Sequence, residues 1–282
     1  MSDRDFVIPR ENLPDGFAES IEEPPAVPAT PRPAATIVLL RDGDDGVELL
    51  LMRRSRKAGF VPGAYVFPGG RVDGTDSTPD VLDRLDDLTV TAAAERLELH
   101  DAEPPAISYY LAALREAFEE TGILVGARAD GSHPPTAAED RSVDEVREAL
   151  MQDEVSFGEA LQRLAARIEG EAVEYIAHWI TPEPEPRRYD TRFFAAKVPS
   201  GATPIVDPRE MTDALWITPS GALARLDRGE LPMVFPTIKT IEQLTHFDTT
   251  EAALEVYAGS PVRTILPTLV VTPTGVGLQI DD

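Results

Sequence analysis

The stretch that decides the fold reads Arg115-Glu116-Ala117-Phe118-Glu119-Glu120-Thr121-Gly122. It ends a segment whose apolar residues recur at helical spacing, namely Ile107, Tyr110, Leu111, Leu114 and Phe118. This periodicity predicts an amphipathic helix. At about 100° per residue, Glu116, Glu119 and Glu120 share roughly a third of the helix circumference. Ala112 and Ala113 fall on the same acidic face, and their small side chains predict room for a bulky ligand.

A cluster of carboxylates on one helix face has two explanations. Neighbouring carboxylates raise each other's pKa unless a cation is present, and hard oxygen ligands suit Mg²⁺ or Mn²⁺. Glu116, Glu119 and Glu120 therefore predict a divalent metal site. The alternative is a solvated acidic surface, which a formal net charge of −24 also favours.

A glycine-rich segment lies upstream of this helix. Apolar residues in 35–40 and 47–52 predict two strands joined by a turn at 42–46. A third short strand, 64–67, leads into Gly69-Gly70, where the backbone can turn tightly and approach a ligand closely. The alternative for this segment is an ordinary hairpin with glycine turns.

Together these residues resemble the signature of the Nudix hydrolases. That signature is Gly, five residues, Glu, seven residues, then Arg-Glu-aliphatic-x-Glu-Glu-x-Gly-aliphatic. Gly70 fills the glycine position, and the chain matches the second half from Arg115 through Ile123. The resemblance implies an α/β fold, the Nudix α/β/α sandwich, here with helical insertions.

The chain departs from the signature in two places. Asp76 stands where the family has its first glutamate, a position with a structural role. Between Asp76 and Arg115 there are 38 residues instead of seven, so an insert of 31 residues splits the signature. A split signature is similar to that of one branch, the peroxisomal coenzyme A diphosphatases of animals and their bacterial relatives. Three further segments resemble that branch: 59–67, 188–194 and 216–219.

A second pattern concerns the substrate. Nudix enzymes that cleave coenzyme A carry Leu-Leu-Thr-x-Arg-Ser, then Arg, Gly and Phe-Pro-Gly-Gly, each after three residues. Matching residues are Leu50, Leu51, Arg54, Ser55, Gly63 and Phe67 to Gly70. Met52 replaces the threonine, and Gly59 replaces the second arginine, which removes a charge that could meet a phosphate.

The resemblance implies a magnesium- or manganese-dependent hydrolase of diphosphates that join a nucleoside to another group. Glu116, Glu119 and Glu120 would hold the ions with help from the carbonyl oxygen of Gly70, and the ions would activate a water. Arg115 lies one turn before Glu119 and would pair with it, a supporting role. With coenzyme A or acyl-coenzyme A as substrate, the products would be 3′,5′-ADP and (acyl-)4′-phosphopantetheine.

Two further roles follow from the resemblance. The general base would be a helix glutamate or a remote carboxylate, and Glu210, six residues before Trp216, resembles the latter; it could equally be an exposed loop acid. Arg54 and Arg71 would meet substrate phosphates beside Gly69-Gly70, or else be surface charges.

Rival functions stay open from the sequence. The same chemistry could act on NADH, ADP-ribose, another dinucleotide or a capped RNA end, although the chain offers no basic groove with aromatic residues for RNA. A non-catalytic Nudix-fold binding module would usually have lost helix carboxylates, and all three remain. A structural protein could use the acidic helix for solubility alone.

Composition limits the partners and the compartment. A net charge of −24 argues against nucleic acid and anionic membranes as partners. The chain has no cysteine and therefore no disulfide. No apolar run reaches bilayer length, and the start lacks signal-peptide features, so we expect a cytoplasmic protein. The C-terminus carries no peroxisomal address. A homodimer is left open.

The chain of 282 residues divides by composition into several segments. We expect an extended or disordered proline-rich arm, able to add one strand or contact to the body, a Nudix domain with two helical inserts, and a C-terminal extension packed on it. Their bounds are 1–33, 34–246 with inserts at about 77–105 and 126–172, and 247–282.

Apolar periodicity and turn residues predict the remaining elements. Expected helices are 81–88, 91–99, 142–151, 156–168, 219–227 and 235–244. Expected strands are 173–180, 191–198 and 215–217, with a hairpin within 262–280 turned at 273–275. The apolar residues Phe157, Leu161, Leu164 and Ile168 serve packing or, alternatively, a small helical cap over a pantetheine arm.

Overall fold

A computed structural model of the chain describes residues 6–9, 17–23, 26–56, 62–207 and 209–280. Its strands are β1 Phe6–Pro9, β2 Arg32–Gly43, β3 Gly46–Arg54, β4 Tyr65–Val66, β5 Gly69–Arg71, β6 Leu85–Asp86, β7 Ala127–Arg128, β8 Ala166–Glu169, β9 Val173–Ile180, β10 Tyr189–Lys197, β11 Met211–Ile217, β12 Thr264–Ile265, β13 Thr268–Thr272 and β14 Gly275–Gln279. Its α-helices are α1 Phe17–Glu22, α2 Pro79–Leu82, α3 Val90–Arg96, α4 Ile107–Thr121, α5 Arg141–Met151, α6 Phe157–Arg163, α7 Pro219–Asp227, α8 Phe235–Leu244 and α9 Thr250–Tyr257.

A mixed eight-stranded sheet forms the centre of the fold. Six strands lie in the order β11-β3-β2-β10-β9-β12, while β4 pairs with β3 and β5 pairs with β2. The pairs β2–β10 and β9–β12 are parallel and the others are antiparallel. The short β5 places Gly70 opposite Ala35 and Gly69 opposite Thr36, so the two glycines lie at a fixed position beside the central strand.

The alternation of side chains along β2 and β3 builds two apolar cores, one on each face of the sheet. Ile37 and Leu39 pack with α4 on one face, whereas Val38 and Leu40 pack with α8 on the other. This period of two is what a strand buried on both faces requires. The α/β/α sandwich expected from the sequence is confirmed.

The end of the chain adds elements to this centre. The predicted hairpin is confirmed as β13 and β14, and β1 pairs with β14 to complete a three-stranded sheet. Sequence reasoning missed α9 and the two-residue strand β12, which extends the central sheet next to β9. In the part of the chain that the structure describes, no helix is both long and apolar enough to cross a bilayer.

Two predicted helices are too long. The helix expected over 81–88 ends at Leu82, and Leu85 pairs instead with Ile168. The helix expected over 156–168 ends at Arg163, because Ala165 adopts a left-handed conformation with φ 53°. Ile168 then lies in β8, with its N–H donating to the carbonyl oxygen of Arg84 at 2.8 Å. The apolar spacing of this segment fits both a helix and a strand, and a distant partner decides between them.

The other predicted helices and strands are confirmed within a few residues. Thr218 caps α7, with its side chain accepting from the N–H of Gly221, and Pro219 occupies the first helical turn. Phe157 and Leu161 are buried in the core that contains α4, which supports the packing interpretation of the second insert.

Candidate active site

The acidic helix α4 ends at a glycine that both backbone and packing require. Gly122 adopts φ 68°, and its N–H donates to the carbonyl oxygen of Phe118 at 2.9 Å. A Cβ at this position would also collide with Ala137. This left-handed cap stops the helix two residues after Glu120, so the side chains of the glutamates lie at its carboxyl end.

The glutamates of α4 meet the diglycine bend. The N–H of Gly69 donates to Oε2 of Glu120 at 3.2 Å. At Gly70 the approach is closer still, because a Cβ built there would overlap the carboxylate of Glu116. Only glycine allows the backbone of β5 and these side chains to be this close.

Arg115 connects the acidic residues of the site. Its Nε donates to Oδ1 of Asp76 at 2.6 Å, and one terminal nitrogen reaches Glu116 at 2.9 Å and Glu119 at 3.2 Å. Its other terminal nitrogen donates to the carbonyl oxygen of Arg71 at 3.1 Å. Asp76 in turn accepts from the N–H of residue 73 at 2.7 Å. A single guanidinium thus fixes three carboxylates, which is the supporting position expected from the sequence.

Burial dominates the electrostatics of the cluster. Burial raises the pKa of Glu119 to about 7, with Arg115 opposing the rise and Glu116 adding to it. Burial, followed by repulsion from Glu116, raises the pKa of Glu120 well above its usual range. The pKa of Glu116 is raised too, again first by burial. Repulsion between the carboxylates, which the sequence predicted as the cause of the raised pKa values, therefore contributes less than burial.

Glu210 lines a cleft of about 300 Å³ together with the glutamates of α4. The turn before β11 holds it there, since the N–H groups of Glu210 and Met211 both donate to the carbonyl oxygen of Asp207, at 3.1 and 2.9 Å. The negative charge of Glu210 also raises the pKa of Glu116 and Glu120. The cleft is lined by Arg115, Glu116, Glu119, Glu120, Leu150, Met151, Asp153, Asp207, Glu210 and Met211.

The second insert closes one side of this cleft through α5. Arg147, on the buried face of α5, donates to the carbonyl oxygen of Glu119 at 2.7 Å and pairs with Asp144 at 3.1 Å. Leu150 and Met151 from the same helix line the cleft. Sequence reasoning missed Arg147. The available signal was an arginine at i+4 from Val143, on the apolar side of an amphipathic helix.

The two arginines expected to bind substrate differ in position. Arg54 ends β3, and its charge lowers the pKa of Glu120, although burial outweighs this effect. Its Nε is buried and has no hydrogen-bond partner among the described residues. Arg71 is exposed, and its carbonyl oxygen accepts a hydrogen bond from Arg115. Gly59, the replaced arginine position, lies outside the described residues.

The expectation of free space beside Ala112 and Ala113 is wrong. Both residues are fully buried in the core against which α4 packs. Their small side chains let α4 approach the surrounding core closely, so that no space for a ligand is left beside them. The cleft lies nearer the carboxyl end of α4, where the glutamates are.

The donor set fits a divalent cation. In the described part of the chain, no group of three or more acidic or histidine side chains is already closed around an ion position. The carboxylates nevertheless lie together in a partly buried site, where ionisation is costly without a counter-charge. They are hard oxygen ligands, as Mg²⁺ and Mn²⁺ prefer, and the lack of a side chain at Gly70 lets the Glu116 carboxylate lie directly against the backbone of the bend.

The chain is similar to known proteins both in sequence and in fold. The family described as the NUDT19 Nudix domain matches residues 26–244. The acyl-coenzyme A diphosphatase NUDT19 of Xenopus laevis is 25% identical over 228 residues, covering 71% of this chain and 60% of that protein. Its counterpart from Gallus gallus is 28% identical over 232 residues, covering 71% and 61%. The chain thus spans about three fifths of the length of these relatives.

A solved structure gives the same picture over almost its whole length. The crystal structure of a NUDIX hydrolase from Alicyclobacillus acidocaldarius is 28% identical, with a TM-score of 0.68, and the match covers 83% of this chain and 99% of that one. The family match alone covers more than three quarters of the residues. The chain therefore belongs to the Nudix family, within the group of the NUDT19 Nudix domain.

Proposed function

We propose that the chain hydrolyses a phosphoric anhydride, the diphosphate of coenzyme A or acyl-coenzyme A, to 3′,5′-ADP and (acyl-)4′-phosphopantetheine. The observation that carries this proposal is that two partly buried helix glutamates, Glu116 and Glu120, meet the diglycine bend, while Glu119 and Glu210 line the same cleft. The substrate class is supported by the similarity to proteins named acyl-coenzyme A diphosphatases.

Glu116, Glu119, Glu120 and the carbonyl oxygen of Gly70 are the proposed ligands for Mg²⁺ or Mn²⁺. A bound divalent cation supplies charge neutralisation at the diphosphate and a lower pKa for the attacking water. Arg115 has a positioning role, because its bonds to Glu116 and Glu119 set the direction of both carboxylates. Its link to Asp76 holds the guanidinium itself.

Glu210 is the proposed acceptor of the proton from the attacking water. It lines the same cleft as the helix glutamates and is exposed. Glu119 is the alternative base, but it is held by Arg115 at 3.2 Å. A base must be free to approach the water whose proton it removes, and this condition favours Glu210 over Glu119.

Arg54 is the proposed contact for a substrate phosphate at the buried end of the site. Its buried Nε lacks a partner among the residues described, and a buried donor without a partner is costly. A phosphate oxygen would provide that partner. Gly69 and Gly70 allow the diphosphate to approach the backbone, and Arg71 is proposed to meet it from the rim.

A substrate panel tests the proposed function. Purified protein is incubated with coenzyme A, acyl-coenzyme A, NADH or ADP-ribose, with Mg²⁺ or Mn²⁺ and with EDTA, and the products are identified by mass. We expect 3′,5′-ADP from both coenzyme A compounds and loss of turnover in EDTA. Faster cleavage of NADH or ADP-ribose would overturn the substrate assignment. Turnover that EDTA leaves unchanged would overturn the metal assignment.

A further inference from the structure

A second cavity, of about 230 Å³, lies between residues 29–32 and 186–189. Three arginines line it: Arg32, Arg187 and Arg188. The chain as a whole has 26 basic residues against 50 acidic ones. A cavity lined by three arginines, of which Arg32 and Arg187 are exposed, is therefore a local reversal of the charge that the rest of the chain carries.

Arg188 is the buried member of the trio, with 7% of its surface exposed. Its Nε donates to the carbonyl oxygen of Thr181 and one terminal nitrogen to that of Ala29, both at 2.9 Å. These bonds hold the side chain in place, but among the described residues they go to carbonyl oxygens and to no carboxylate. A buried cation without a counter-charge is unfavourable.

The acids nearest in sequence do not supply that counter-charge. Asp190 pairs with His178 at 2.6 Å and with Arg192 at 2.8 Å. Burial alone raises the pKa of Glu185, with no cation contributing. Neither acid therefore neutralises the arginines that line the cavity.

We propose that Arg32, Arg187 and Arg188 form a second anion site that binds a phosphate monoester. Guanidinium groups match the oxygens of a phosphate with two parallel hydrogen bonds, and the cavity has room for more than the phosphate group. Arg32 lies three residues before Ala35, the partner of Gly70, which is about 10 Å along the strand. The phosphate is either the monoester of a nucleotide substrate or a separate phosphate. The substrate-borne source rests on the proposed function, whereas binding itself does not.

The first arm of the test measures binding without metal and without turnover. 3′,5′-ADP, 5′-ADP and inorganic phosphate are titrated calorimetrically into the full chain. The double variant Arg32→Gln/Arg187→Gln spares the structural bonds of Arg188. The control is Arg141→Gln, since Arg141 is 92% exposed on α5. We expect the double variant to bind 3′,5′-ADP about tenfold or more weakly, and the control to bind as the wild type does. Absence of saturable binding to the wild type, or equal affinity in the double variant, overturns the proposal.

The second arm identifies the source of the phosphate. For each variant, kcat/KM is measured with coenzyme A and with dephospho-coenzyme A, which lacks the 3′-phosphate. If the substrate supplies the anion, the preference for coenzyme A falls in the double variant by the same factor as the affinity for 3′,5′-ADP. If the double variant loses phosphate binding but keeps its preference for coenzyme A, the site binds a separate phosphate. If neither compound is cleaved, the proposed function fails while the binding arm still decides the anion site.

Discussion

Nε of Arg115 donates to Oδ1 of Asp76 at 2.6 Å, although 38 residues separate the two in the chain. The bond brings the two halves of the split signature together, since Asp76 precedes the insert and Arg115 follows it. The insert therefore does not separate the two halves of the site in space. The side chains of Arg115 and Asp76 are 12% and 1% exposed, so water cannot readily replace either partner of the pair.

We expect Asp76→Asn to destabilise the fold by about 2–3 kcal/mol, because the buried negative charge is lost and an amide NH2 cannot accept the hydrogen bonds that Oδ2 accepts from residue 73 and Arg115. The control is Asp86→Asn, which breaks the Arg167–Asp86 pair at 41% and 40% exposure and should cost less than about 1 kcal/mol. Urea unfolding measures both. Equal losses would show that the Asp76 pair is no stronger than a surface pair.

The diglycine bend gives a prediction about activity without loss of fold. Gly70→Ala should push the carboxylate of Glu116 aside and lower kcat about 100-fold. Because that carboxylate is the flexible end of a side chain, we expect a stability loss below about 1 kcal/mol. Gly74→Ala is the matched control, since nothing lies within 4 Å of its added Cβ. Wild-type turnover by Gly70→Ala would remove the bend from the site.

Glu119 and Glu120 should each be essential for turnover. Glu119→Gln and Glu120→Gln keep the side-chain shape but remove the charge, and we expect kcat to fall by about 100-fold or more. The thermal midpoint of the metal-free protein should not fall, because glutamine removes the cost of ionising a carboxyl group in a partly buried site. Glu251→Gln, at an exposed position of α9, is the control. Unchanged kcat at saturating Mg²⁺ in both variants would contradict the assignment.

The raised pKa of Glu119 predicts a pH effect on the metal-free protein. Its carboxyl has a pKa near 4.5 when unperturbed and about 7 in the fold, so the folded state holds the proton more tightly. The stability that this group contributes is present below pH 4.5 and is lost as the pH rises through about 7. As the pH rises from 4.5 to 8, the thermal midpoint of the wild type should fall relative to that of Glu119→Gln.

Added Mg²⁺ should reduce this difference, because a bound cation favours the ionised form. The same thermal scans with and without the ion measure the effect. Parallel curves for wild type and Glu119→Gln in the absence of metal would contradict the raised pKa.

Arg147 joins the second insert to the catalytic helix. The carbonyl oxygen of Glu119 lies in the last turn of α4 and has no partner within the helix. Arg147 supplies one at 2.7 Å. We expect Arg147→Met to destabilise the fold by about 1–3 kcal/mol and to lower kcat, because Glu119 loses its anchor. Arg141→Met, one turn and a half earlier on the exposed side, should change neither. Calorimetric unfolding and steady-state kinetics test both variants.

Local patterns predicted most elements of the fold. The alternating residues of β2 and β3, the helical spacing of α4 and the Thr218-Pro219 start of α7 are each visible in a short window of sequence. The same patterns could not place the end of α6, because Ile168 satisfies helix and strand spacing alike until its pairing with Leu85 is known. The site shows the same division. The glutamates and the glycines could be named from their motif, whereas Arg147 carries no motif.

What the sequence by itself determined is the set of chemical groups and their local geometry: three carboxylates on one helix face, two adjacent glycines, and an arginine one turn from Glu119. Only the tertiary structure decided which of these groups are buried and what they meet. It brought Asp76 to Arg115, Glu210 into the cleft that the helix glutamates line, Arg54 rather than Arg71 near Glu120, and three arginines to one cavity. The physical reason is that helix and strand spacing follow from neighbouring residues, whereas burial and long-range hydrogen bonds depend on how distant segments pack together.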